Sequence, residues 1–348
     1  MKRTIAFLIL CMIFVPFAVL AEGETEDALS TNTVLCDQKR SLTACEVSWL
    51  GYGNGGYYIN SYDINNGILS KEKLAMVDPD SVDQGRIMLL PHKDTGFRYV
   101  VHVVHYMTST SPCVKLWGIK KNGDLQLIPV AESVHLQPTE KNIESVPVLC
   151  GETIVFTDDN DTCQSSTLDG RQVKKISDYP RENTNSKGDA LAIIVEIEDK
   201  KRTNIVKICN GVEDREILRT GLDEEYQFLS AWGWWDDNRL VMLLERKLST
   251  PHIYDVLVFN NDTKELHYLY NEKGERINVV TQDGIFQYLF FSPDGDKLIY
   301  IEFLGYFVYW HNIVMLSLDT GESEVLCSSE DTGTILALPF SVVWNCDY

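Results

Sequence analysis

The stretch Ser292–Ile301, SPDGDKLIYI, joins a polar turn directly to an apolar strand, and the same junction returns along the chain. WWDDNRLVML (Trp234–Leu243) repeats it with Leu240 in the place of Leu298. NSKGDALAII (Asn185–Ile194) keeps Gly188 for Gly295 and Leu191 for Leu298. LCGETIVFT (Leu149–Thr157) and KDTGFRYVVH (Lys93–His102) keep Gly151 and Gly96, with Ile154 and Tyr99 at the anchor. QKRSLTACEV (Gln38–Val47) is a frayed sixth copy on Leu42. After each copy comes a strand, a turn rich in Gly, Asn and Asp, and another strand, as in VMLSLDTGESEVL (Val314–Leu326) and VLVFNNDTKELHYL (Val256–Leu269). Glycine and asparagine accept positive φ cheaply, so such spacing marks hairpins.

The unit is therefore four antiparallel strands, and its anchors recur every 37 to 58 residues. A four-stranded sheet with two apolar faces cannot stand alone; it buries both against copies of itself, which describes a propeller blade. No long segment keeps a 3.6-residue apolar period, so helices are not expected. A pair of sandwiches would explain the alternation but not six similar units. The expected fold is all-β: one six-bladed propeller of four-stranded antiparallel blades over residues 33–348. The piece TILALPFSVVWNCDY (Thr334–Tyr348) follows a complete sixth unit and is expected to supply a strand around Phe340–Trp344 to the N-terminal blade. Cys346 would then lie at the seam, where Cys36 or Cys45 could pair with it.

SPDGDKLIYI followed by IVMLSLDTGESEVL resembles the repeat of TolB-like six-bladed propellers and of the propeller domains of prolyl-oligopeptidase-type peptidases. The resemblance covers most of the chain, identifies architecture and brings no catalytic residues with it. A peptidase of that kind would need a hydrolase domain with a G-x-S-x-G nucleophile turn, and that pentapeptide does not occur.

Lys2 and Arg3 precede the apolar run TIAFLILCMIFVPFAVL, which ends at Ala21 before Glu22. This is the order of a secretory signal over residues 1–21, followed by a flexible segment over 22–32. The run is short for a membrane span and contains a proline, so no membrane insertion is expected after cleavage. Without the signal the chain holds 51 acidic and 29 basic side chains, a net charge of −22. Such a surface repels nucleic acid, whose binding needs Lys and Arg to displace counterions. Eight cysteines then remain, an even number that suits disulfides in an exported chain, and no C-x-x-C occurs.

Little in the sequence carries chemistry. His102 and His105 are the only close histidine pair, and on a strand residues three apart face opposite sides. The acidic stretches DPDSVDQG (Asp78–Gly85) and TDDNDT (Thr157–Thr162) are oxygen-rich enough for calcium but lack the EF-hand pattern, and solvated turns explain them better. No cofactor is expected; calcium is the one ion these loops could take. Asn160 and Asn261 open glycosylation sequons. The most unusual feature is AWGWW (Ala231–Trp235), in the region of an innermost strand and its turn. Trp232, Trp234 and Trp235 could stack on a ligand at the channel, although wedge-filling between blades explains such rings more simply. Trp232 and Trp234 share one face and Trp235 takes the other.

These observations favour a monomeric, non-enzymatic, exported propeller that binds a protein or peptide in the cell envelope or outside the cell. The alternative is a calcium-dependent hydrolase or lyase with its site in the central channel. No set of polar residues recurs at equivalent blade positions to mark such a site.

Overall fold

The computed structural model describes residues 44–74, 87–90, 98–104, 113–119, 125–127, 148–150, 153–158, 160–167, 171–198, 201–220, 227–246, 250–286, 288–304, 310–336 and 342–347. The expected signal peptide, the 22–32 segment, Cys36, Leu42, His105 and the acidic stretch 78–85 lie outside these residues.

The described strands form six antiparallel sheets. The first contains β1 (Ala44–Gly53), β2 (Gly56–Asp63) and β3 (Ile68–Lys73). The second is β4 (Ile87–Leu90), β5 (Arg98–Val104), β6 (Cys113–Ile119) and β7 (Leu125–Leu127). β8 (Val148–Cys150), β9 (Thr153–Thr157), β10 (Cys163–Thr167) and β11 (Val173–Ser177) make the third. The fourth is β12 (Ala190–Glu198), β13 (Lys201–Cys209) and β14 (Asp214–Thr220). In the fifth are β15 (Gln227–Trp234), β16 (Arg239–Arg246), β17 (His252–Asn260), β18 (Glu265–Tyr268) and β19 (Asn278–Thr281). The sixth holds β20 (Phe290–Phe291), β21 (Lys297–Phe303), β22 (His311–Ser317) and β23 (Ser323–Ser328). A single helical turn, α1 (Ser329–Thr332), then leads to β24 (Ile335–Leu336) and β25 (Val342–Asp347), which pair with β1.

Neighbouring sheets bury their faces against each other. One apolar cluster joins the fourth and fifth sheets, a second the fifth and sixth, and a third the sixth and first. The architecture is an all-β propeller. Four of the repeat anchors, Ile154, Leu191, Leu240 and Leu298, are each 0% exposed. Burying a side chain of this size stabilises by about 2 kcal/mol, so the residues that mark the repeat in sequence also hold the blades together.

The expectation of uniform four-stranded blades needs correction. Among the described residues the full blades number five and not the expected six: five sheets reach the four or more strands of a full blade, and the fourth sheet has only three. Its inner strand is missing because Pro180 leads into a 3-10 turn over Arg181–Asn183. Only an isolated bridge, Thr184 to Ala190, remains of that pairing.

The turns are held by their own side chains. Asp294 Oδ1 accepts from Asp296 N at 3.2 Å, and Ser292 Oγ accepts from Lys297 N at 3.0 Å. Asp236 Oδ1 takes Asn238 N at 2.8 Å and Arg239 N at 2.7 Å, and Asn185 Oδ1 takes Lys187 N and Asp189 N at 3.0 and 2.9 Å. Gly188 and Gly295 have φ of 93° and 77°, the region where a Cβ is costly. The acidic residues of these turns serve geometry.

The first sheet is completed from the other end of the chain. β25 pairs with β1 from Ala44↔Asp347 to Trp49↔Val342, and β24 adds Gly51↔Leu336. The expected closing strand is thus present, shifted toward the C-terminus of the 340–344 range. Gly51 is required here: a Cβ would stand 2.3 Å from Thr334 Oγ1. Asn60 Nδ2 donates to that hydroxyl at 3.1 Å. Before it, α1 is capped reciprocally by Ser328 and Asp331 and ends on Gly333 in the left-handed region.

Cys163, Cys209 and Cys327 are free and buried. Burial pushes the thiols of Cys163 and Cys327 up to about 12, so at pH 8 only about one in 10,000 is thiolate, the reactive form. Alkylation of these two positions in the native protein is expected to be at least 100-fold slower than after unfolding. Site-resolved iodoacetamide labelling checks this, and equal native and unfolded rates would contradict it.

Candidate functional site

The 3-10 turn Arg181–Asn183 stands where the fourth sheet lacks its inner strand, packed against β9, β12 and β15. The turn is pinned on one side by Thr157, whose Oγ1 accepts from Arg181 N at 3.0 Å and donates to Glu182 Oε2 at 3.4 Å. Arg181 reaches Glu182 Oε1 at 3.3 Å, and the two side chains are 22% and 7% exposed. Arg181 Nε is buried without a hydrogen-bond partner.

On the other side the turn receives two of the tryptophans singled out in the sequence. Trp232 Nε1 donates to Asn183 Oδ1 at 3.0 Å, and Trp234 Nε1 to the Asn183 carbonyl at 2.7 Å. Both lie on β15, the innermost strand of the fifth sheet, and share the face toward the fourth. Trp235 takes the opposite face, stacked on Phe291 at 6.2 Å with the Arg239 guanidinium 3.9 Å from its ring centre. The structure therefore brings Trp232 and Trp234 together and sends Trp235 between the fifth and sixth sheets. Gly295 passes so close that a Cβ there would meet Trp235 Nε1 at 2.6 Å.

Trp232 also begins a run of aromatic rings. Its backbone bridges to Tyr288, and the rings meet edge to face at 6.1 Å. Tyr288 meets Phe286 at 5.5 Å, and Phe286 meets Phe303 at 6.2 Å, again edge to face. All four are half-buried. Such geometry favours each pair beyond its buried area. The sequence reading missed Arg181, Glu182, Phe286 and Tyr288. The only signal for the aromatic pair was the broken alternation of IFQYLFF (Ile285–Phe291).

The remaining candidates are accounted for locally. Asp158 spends Oδ1 on Asn160 N and Thr162 N and Oδ2 on Gln164 Nε2, at 2.9 to 3.0 Å. Burial raises its pKa, but the hydrogen bonds from Thr162, Asn160 and Gln164 outweigh that and hold it below the usual carboxylate value. His252 Nδ1 meets Glu245 Oε1 at 2.6 Å, and Ser230, at a bulge in β15, donates to Glu245 Oε2 at 3.3 Å. The serine approaches the carboxylate and not the imidazole, so these three do not form a nucleophile–base relay. Among the described residues no group of three or more His, Cys, Asp or Glu is placed to hold a metal, and no helix is long and apolar enough to cross a membrane.

No protein-family model and no curated protein match the chain. Among solved structures it is similar to TolB from Acinetobacter baumannii, at 12% identity and a TM-score of 0.46, over 86% of this chain and 66% of that one. An oligogalacturonate lyase from Vibrio parahaemolyticus matches at 14% identity and a TM-score of 0.33, over 71% of each chain. Prolyl oligopeptidase B from Galerina marginata matches at 10% identity and a TM-score of 0.34, over 82% of this chain and 40% of its own.

Proposed function

We propose that the protein is an exported, non-enzymatic binding module whose ring receives a protein or peptide segment beside the incomplete fourth sheet. The observation that carries this is the half-buried aromatic run from Trp232 through Tyr288 and Phe286 to Phe303, beside the Arg181–Glu182 pair. Half-buried rings next to a charged pair suit polypeptide side chains, and aromatic residues commonly anchor such interfaces. In this reading the ring is monomeric. We also propose that a disulfide between Cys45 and Cys346 locks the seam, which is supported by Cys45 being disulfide-bonded and by Cys346 being its register partner across β1 and β25.

The test is capture of partners from native envelope and secreted fractions by the chain lacking residues 1–21. The variant Trp232→Ala/Tyr288→Ala is compared with wild type, and Val212→Ser, at a site 95% exposed, serves as control. The double variant is expected to lose at least 10-fold of the specifically captured protein, with the control unchanged. Equal capture by both variants would overturn the reading. Absence of any partner together with stoichiometric calcium by elemental analysis would turn it toward a calcium-dependent hydrolase or lyase.

A further inference from the structure

We propose that the inner edge of β12 is a strand-addition site, where an extended segment of a partner polypeptide docks as the absent fourth strand of the fourth sheet. This rests on the reading that the ring binds a polypeptide, and it specifies the mode of binding. β12 is paired with β13 along its whole length, from Ala190↔Cys209 to Glu198↔Lys201. On its other side, among the described residues, it makes only the bridge from Ala190 to Thr184. The stretch Leu191–Glu198 thus has one edge without a paired strand, in the position that an inner strand occupies in the full blades.

The chain that should fill this position is diverted by its own local bonding. Thr184 N donates to the Arg181 carbonyl at 3.0 Å, and Thr184 Oγ1 donates to the Pro180 carbonyl at 2.8 Å. Continuing the Thr184↔Ala190 register would place Asn183 and Glu182 opposite Leu191 and Ala192, and both belong to the 3-10 turn. Alternate residues of an antiparallel strand aim both backbone groups to the same side, so about four residues of the stretch point donors and acceptors at the open edge.

The side chains agree with this. Ile193, Ile194 and Val195 are 37%, 39% and 39% exposed, three consecutive apolar residues that cover both faces of the strand. Edge strands are ordinarily blunted by charge, proline or a bulge, and none interrupts these three. Strand addition supplies the missing bonds through the main chain and reads alternate side chains, here against Ile193 and Val195 on one face and Ile194 on the other.

The occupant is a single extended chain and not a second copy of the ring. β13 and β14 fill the outer side of β12, and the 3-10 turn packs against β12, β9 and β15 where Leu191 and Ala192 are buried, which leaves the exposed stretch from Ile193 onward for one narrow segment. A strand embedded in another propeller would have to bring its own sheet into that space. Charge narrows the choice through the whole chain, which carries a net −20, since Glu182 and Glu196 near the edge are already paired with Arg181 and Arg219. The fitting segment alternates β-branched residues with lysine or arginine.

The probe is a fluorescein-labelled, end-blocked decapeptide of alternating valine and lysine, measured by anisotropy against the chain lacking residues 1–21. Saturable binding is expected. Two further peptides of the same composition carry N-methyl groups on the valine or on the lysine amides, and the form that methylates the edge-facing amides should bind at least 10-fold more weakly. Ile193→Lys/Val195→Lys, at exposed positions and checked for an unchanged thermal midpoint, should weaken the parent peptide by a similar factor. Amide exchange across 191–198 should slow in the complex. No saturable binding, or binding that ignores both N-methylation and the lysine pair, would overturn the inference. Loss of binding in Trp232→Ala/Tyr288→Ala alone would also reject the edge and leave the aromatic site standing. Concentration-dependent dimerisation abolished by Ile193→Lys/Val195→Lys would make a second copy the occupant and reject the partner segment.

Discussion

Replacing Cys346 by serine is expected to lower the unfolding free energy by about 2–5 kcal/mol, the effect of removing the proposed Cys45–Cys346 disulfide at the seam. Cys45 and Cys346 are opposite each other in the register of β1 and β25. The Cys45 carbonyl accepts from Ile64 N at 3.0 Å, on the side of β2. In an antiparallel sheet a residue's two backbone groups point the same way, so toward β25 this is a non-hydrogen-bonded pair. Such pairs bring Cα atoms to about 4.5 Å, within the range a disulfide spans. The cross-link would close nearly the whole chain into a loop, where the entropic effect on the unfolded state is largest. Denaturant midpoints under non-reducing conditions give the loss, and a double-mutant cycle tests the pairing. Cys45→Ser added to Cys346→Ser should cost nothing more. Additive effects, or an unchanged midpoint for Cys346→Ser, would show that Cys45 has another partner.

The second large effect is expected at Arg246. Asp255 is 0% exposed on β17, and Arg246 clasps its two oxygens at 2.9 and 2.5 Å while reaching Asn278 Oδ1 at 3.0 Å. The hydrogen bonds to Asp255 raise the guanidinium pKa above its usual value, against the opposing effect of burial. A second guanidinium, Arg276, stands 3.9 Å from the same carboxylate and stacks on Tyr268 at 3.7 Å. Arg246→Met would keep most of the stem packing and take from a buried carboxylate the guanidinium that clasps both its oxygens. The expected cost is about 3 kcal/mol. Asp255→Leu in the Arg246→Met background should recover part of it, since the penalty comes from the stranded charge more than from the lost pair. A loss under about 1 kcal/mol in the single variant would mean that Arg276 takes over.

The parts of the fold legible in the sequence are those fixed by local chemistry. SPDG-type turns and the buried residue three places after the glycine position of each turn are short-range features, and Ile154, Leu191, Leu240 and Leu298 occupy equivalent buried positions. The closing strand could be read because VVWNCD alternates and the chain already has six units. The gap in the fourth sheet could not. NSKGDALAII keeps its turn and its strand, and the break lies upstream, where Pro180 and Thr184 close a 3-10 turn by bonds that no periodicity marks. The tryptophans were visible as composition, but their partner Asn183 comes 49 and 51 residues earlier, and only the packed ring makes them neighbours. The burial of Glu182 likewise depends on Thr157 from another sheet.

The pairing of β25 with β1 also sets an order of events. A ribosome delivers Ala44–Gly53 long before Val342–Asp347, so the first sheet waits for all the other sheets to be synthesised before its inner strand arrives. Contacts of such sequence separation are slow to form, and a bare strand edge is sticky while it waits. A nascent chain therefore holds β1 to β3 in an unfinished state until β25 emerges, and a truncation before Val342 leaves those strands permanently unfinished.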